Sequence, residues 1–179
     1  MSVIASKVAS QDDLYREAAA EFGAALDRLA KAYELDPEKR RDLLQEIHFA
    51  LWRSFATYDA RCSLRTWIYR VAHNTATTQV VRRRRAYSVL ISLEELDDLA
   101  ADDRSHADVD QRQASERLSL LIQKLKPFDR QVIISYLEGM DAASTAEITG
   151  LSAANVAMKI HRIKNVLARQ FHSGASHAE

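Results

Sequence analysis

Asn155, Lys159 and Arg162 follow one another at helical spacing behind the small Ala153 and Ala154. Small residues let a helix end enter the major groove, while an amide and two cations can reach base edges and phosphates. Ser152 and His161 belong to the same stretch. A second cationic group, Arg65, Arg70, His73 and Asn74, lies behind a short polar loop at 59–62. Such a loop beside a basic helix can hold the unstacked bases of single-stranded DNA. Four consecutive arginines, Arg82 to Arg85, follow. Two or three of them can meet one phosphate backbone; alternatively they are a solvated helix end that suits the helix dipole. A third group differs in kind. Asp42, Gln45 and Glu46 share one side of a helix with Trp52. An aromatic beside carboxylates makes a protein-docking surface, and burial of Trp52 in the core is the plainer alternative.

Catalytic chemistry finds no foothold. The histidines lack the paired spacing of a metalloprotease, and neither a glycine-rich phosphate loop nor a nucleophile elbow occurs. Cys62 has no partner at metal-ligand spacing. No catalytic residue, metal or cofactor is expected.

These groups need helices to carry them. With only four glycines and two prolines in 179 residues, the chain has too few turn residues for sheets, so the expected class is all-α. Leu14, Ala18, Phe22, Ala25, Leu29 and Tyr33 stripe a first helix. Asp36 and Pro37 start a second, with Leu44, Ile47, Leu51 and Phe55 inward. Ser63 caps a third, whose inner face is Leu64, Ile68, Val71, Thr75 and Thr78. Further on, Leu118, Leu121, Ile122 and Leu125 open a second helical body, and Pro127 starts the next helix. Gly139 ends that helix. Segment 142–149, Gly150 and a helix from Ser152 then make a helix-turn-helix, with Val156, Ile160, Ile163, Leu167 and Phe171 buried.

The formal charge is zero, with 25 basic and 25 acidic residues, yet eight acids against Arg104 fall between Glu94 and Asp110. Segregated charge implies different partners for different parts. The expected layout is a flexible 1–10, a three-helix domain at 11–87, an acidic linker at 88–113 with one weak helical turn near 93–99, a helix-turn-helix domain at 114–172, and a flexible 173–179. One cysteine, no apolar run long enough to span a bilayer and no secretory start point to the cytoplasm without membrane insertion.

Taken in order, several marks resemble an extracytoplasmic-function sigma factor of bacterial RNA polymerase, over about residues 12–171. They are Asp42-Leu43-Leu44-Gln45-Glu46 with Trp52, then Ser63-Leu64-Arg65-Thr66-Trp67-Ile68, and Asn74 ahead of the basic run. In the second half, Lys126 to Val132, Gly139, Gly150, Leu151-Ser152, Val156 and His161-Arg162 complete them.

The resemblance implies a region 2-like domain at 11–87 and a region 4-like domain at 114–172. It implies docking on core RNA polymerase through Asp42, Gln45, Glu46 and Trp52. The −10 promoter element would fall to Tyr58, Asp59, Ala60, Arg61, Ser63, Arg65, Arg70, His73, Asn74, Arg82 and Arg83. The −35 element would fall to Ser152, Ala153, Asn155, Lys159, His161 and Arg162. Promoter DNA and an anti-sigma factor are the further partners, and the acidic linker would thread the polymerase's basic channels. Ala157 and Met158 offer no hydrogen bonds to bases, and Ser144-Thr145-Ala146 stands where the family often carries Glu-Ile-Ala. The competing readings are a free-standing helix-turn-helix regulator and a helical regulatory interaction protein.

Overall fold

Each helix begins where the sequence offers a cap. The structure, a computed structural model, describes residues 10–91 and 110–173, all helix and connecting turn. Ser10 and Asp13 form a reciprocal capping box that starts α1 (Gln11–Tyr33). Asp36 accepts the amides of Glu38 and Lys39 at 3.0 and 3.1 Å, and Pro37 opens α2 (Pro37–Ser54). A single 3-10 turn, Phe55–Thr57, leads into the loop before α3 (Leu64–Ile91). Ser63 Oγ accepts the Thr66 amide there at 3.0 Å, as a cap should.

α4 (Asp110–Gln123) starts the second half, so helix reaches into both ends of the span read as linker. Residues 92–109, with the acidic run and the expected turn near 93–99, lie outside the described residues. Pro127 opens α5 (Pro127–Leu137), and Gly139 at φ 73 turns the chain after it. Asp141 caps α6 (Ala142–Thr149), accepting the Ser144 amide at 2.7 Å. Gly150 takes φ 74, a left-handed conformation a side chain would strain, and α7 (Ala153–Ser173) follows.

The first half packs Phe22, Leu26, Leu29 and Tyr33 of α1 against Leu43, Ile47 and Leu51 of α2 and Ile68 and Tyr69 of α3. In the second half Ile122, Val132, Ile133, Ile148, Val156, Ile163 and Leu167 close around α5. The two halves also touch, for α3 packs on α5 and α6, and α1 on α4. Two expected faces are corrected. On α2 the buried leucines are Leu43 and Leu51, with Leu44 only partly buried. On α3, Tyr69, Ala72, His73 and Ala76 are buried, while Val71 and Thr75 are half-buried and Thr78 is exposed. With neighbours on two sides, α3 buries a wider arc than one stripe.

Candidate functional site

On α7, the N-terminal turn points to solvent. Ser152, Ala153, Ala154 and Asn155 are exposed, and the Asn155 amide donates to Ser152 Oγ at 3.3 Å. Val156 beneath them is fully buried, so the stripe that anchors the helix also orients this face. Arg162 and His161 are exposed too. Lys159 is less free: its Nζ lies 2.6 Å from Asp129 of α5, and Arg162 stands 3.8 Å from the same carboxylate. Met158, 65% exposed, is an apolar member of this face that a search for polar residues passes over.

The loop before α3 is internally braced. The Tyr58 hydroxyl donates to the Cys62 carbonyl at 2.9 Å, and its ring leans on Trp67 at 5.3 Å. Burial, with the Cys62 and Asp59 charges, raises the Tyr58 hydroxyl above its ordinary value. Trp67 in turn donates to Ser54 Oγ at 2.9 Å, tying α3 to the end of α2. Ala60 holds φ 58, a strained value for a residue with a side chain, beside the exposed Asp59–Arg61 pair. Ser63 is used as the cap of α3, its hydroxyl also meeting Thr66 Oγ1.

Two arginines of α3 reach the other half of the chain. Arg65 donates to the Glu138 carbonyl, and Arg70 to the Glu147 carbonyl at 2.9 Å. Glu138 also accepts both arms of Arg28, at 2.8 and 2.6 Å, and the Tyr69 hydroxyl at 3.2 Å. Its hydrogen bond raises the Arg28 guanidinium further, while burial and then the Glu138 charge push Tyr69 up to about 12. Gln131 donates to Thr77 Oγ1, and the Arg130 guanidinium sits 5.2 Å from the Tyr33 ring centre. His73 corrects the expectation of a DNA-facing residue. It is fully buried between the hydroxyls of Tyr33 (3.0 Å) and Ser135 (3.3 Å), and burial lowers its pKa to about 3. It is a neutral wedge between the halves. Asn74 and Arg82 remain exposed, and Arg83 pairs with Glu34 at 2.8 Å.

A separate patch lies on α2. Asp42, Gln45 and Glu46 are exposed, and Trp52 is 39% exposed, so it is not a core tryptophan. Its indole donates to Asp12 at 2.9 Å, and its backbone carbonyl accepts from Gln11. Phe49 stacks on it, rings 6.4 Å apart at 23°, with the Arg53 guanidinium 5.8 Å from the Phe49 ring. Phe49 was not among the expected site residues. Its signal was an apolar residue standing off the buried stripe, three positions before a tryptophan.

No helix among the described residues is long and apolar enough to cross a membrane. Residues 19–86 match the family Sigma-70 region 2, and residues 115–167 match Sigma-70, region 4. The ECF RNA polymerase sigma factor SigG of Mycobacterium tuberculosis, in two strains, is 41% identical over 44 residues. That stretch is 25% of this chain and only 12% of the relative's length. The fold is similar to that of CnrH, solved in complex with the cytosolic domain of CnrY, with TM-score 0.64, 21% identity, and 92% and 90% of the two chains covered. It is also similar to the sigma factor RpoE, solved with the anti-sigma factor NepR from Bartonella quintana, with TM-score 0.67, 18% identity, and 92% and 98% covered. With regions 2 and 4 both matched, in that order and over most of its length, the chain belongs to the sigma-70 family.

Proposed function

We propose that this chain is a sigma factor that binds core RNA polymerase, directs it to a small set of promoters and supports melting at the −10 element, with no catalytic step of its own. The observation that carries the reading is the presence of regions 2 and 4 in order on one chain. Asp42, Gln45, Glu46 and Trp52, extended by Phe49, form the polymerase-docking surface, an exposed aromatic pair ringed by acids. Tyr58, Asp59, Ala60, Arg61 and Ser63 shape the pocket loop for a flipped base. Arg65, Arg70, Asn74, Arg82 and Arg83 serve the strand backbone. Ser152, Ala153, Asn155, Lys159, His161 and Arg162 read the −35 duplex from α7.

The two units at 11–87 and 114–172 are the working domains, and the acidic 88–113 is the tether between them. The cytoplasm is the proposed location, where polymerase and chromosome are. An anti-sigma factor is a proposed partner, supported by the complex in which the similar RpoE was solved.

Co-elution with core polymerase on a sizing column tests the reading. The wild-type chain should run with the enzyme, and Asp42→Ala with Gln45→Ala should shift it to the free fraction without changing its melting temperature. A wild-type chain that elutes apart from polymerase contradicts the reading. A free-standing regulator would instead bind duplex DNA tightly with no polymerase present.

A further inference from the structure

A helix advances about 100° per residue, so its faces follow from spacing. The buried stripe of α7 is Val156, Ile163 and Leu167, with Ile160 half-buried beside them. Met158 falls roughly 140–180° around the helix from all four, at the crest of the outer face. It is 65% exposed, the highest value among the exposed large hydrophobic residues described.

Lys159 falls only roughly 40–100° from the same stripe, on the shoulder of the helix. There Asp129 of α5 takes its ammonium at 2.6 Å, leaving 29% of the lysine side chain exposed. Arg162 leans toward the same carboxylate at 3.8 Å. The cations thus flank the crest while Met158 occupies it, beside the exposed Asn155 and the small Ala153 and Ala154. A thioether makes no useful hydrogen bond to a base edge, so its partner in a major groove is an apolar group. The groove offers one such group, the C5 methyl of thymine. An unbranched, polarizable side chain adapts its shape to that methyl. Phosphates fall to the shoulder cations, which set the position of the helix but carry no sequence information.

We propose that Met158 is a specificity-determining residue that selects thymine in the duplex by packing on its C5 methyl, with Asp129 holding Lys159 aside at the groove wall. The proposal rests on the reading of α7 as the −35 reader. Were a protein surface to cover Met158 instead, removal of a DNA methyl would change nothing.

The test selects duplexes carrying a randomised segment on the full-length chain with core RNA polymerase present, using the wild type, Met158→Ala and Met158→Gln. Because the side chain is exposed, all three should share one melting temperature. The wild type should enrich a thymine whose preference is lost in Met158→Ala and moves to adenine in Met158→Gln, since an amide pairs with the adenine edge. Replacing that thymine by deoxyuridine, which removes only the methyl, should weaken wild-type binding about fourfold and leave binding by Met158→Ala unchanged. Identical selected sequences in the wild type and Met158→Ala, or none enriched, overturn the proposal. So does equal wild-type affinity for the thymine and deoxyuridine duplexes. Co-elution of the same proteins with core polymerase separates failure at Met158 from failure of the sigma-factor reading itself.

Discussion

On α7, Asn155 and Arg162 stand in solvent, whereas on α3, Arg65 and Arg70 are engaged by carbonyls of the opposite half. Both helices carry cations suited to nucleic acid, but their surroundings differ. The α7 cations are steadied by Asp129, a neighbour within their own half. The α3 cations are held across the interface through Glu138 and Glu147. The comparison teaches that the polar face of α7 stands open within its own half, whereas two arginines of α3 are engaged across the interface.

The largest expected effect comes from removing the support of the open face. Ile163→Ala, at a buried position under α7, should cost about 3 kcal/mol of stability in urea unfolding. An unchanged midpoint would mean that this stripe does not hold α7. A smaller effect probes the interface at α3. Burial holds His73 neutral, its pKa down at about 3 from an ordinary 6.5. Once unfolded, the same imidazole takes up a proton below about 6.5. Its contribution is therefore complete above that pH and is lost as pH falls toward 3. Between pH 6.5 and 5 the chain should lose about 2 kcal/mol more stability than His73→Gln does. Parallel pH profiles of the two proteins would refute the wedge assignment.

Next in size, Arg162→Ala should weaken −35 duplex binding by the polymerase complex by about 1.5 kcal/mol. In the free chain, Arg65→Ala should leave oligonucleotide binding nearly unchanged, because that arginine is already occupied. Equal effects of the two substitutions would erase the distinction between the faces. Gly150→Ala should cost about 1 kcal/mol of stability in urea unfolding by forcing a side chain to φ 74.

Local features were legible in the sequence because their causes are local. Asp36 with Pro37, Ser63, Gly139 and Gly150 each mark a boundary within a few residues of the atoms they satisfy. The α7 stripe was legible for the same reason: Val156, Ile163 and Leu167 are buried and Ile160 half-buried, while the Phe171 side chain lies outside the described residues. Even the unusual Ser144-Thr145-Ala146 segment keeps helical burial, for Thr145 sits fully inside beside Ile148. What escaped was long-range. Nothing within a turn of Arg65 points to a partner 73 residues away, nor within a turn of His73 to Ser135. Periodicity gave α3 one buried stripe, but an element packed on two sides has no single stripe to read. Phe49 escaped for the opposite reason, since an exposed aromatic breaks the pattern used to find faces.

Run-off transcription with purified core RNA polymerase bears most directly on the central assignment. Added to core enzyme on candidate promoter regions, the chain should produce discrete transcripts with fixed start points that are lost with the Asp42→Ala, Gln45→Ala double variant. Transcripts no different from those of core enzyme alone, on every template, would contradict it.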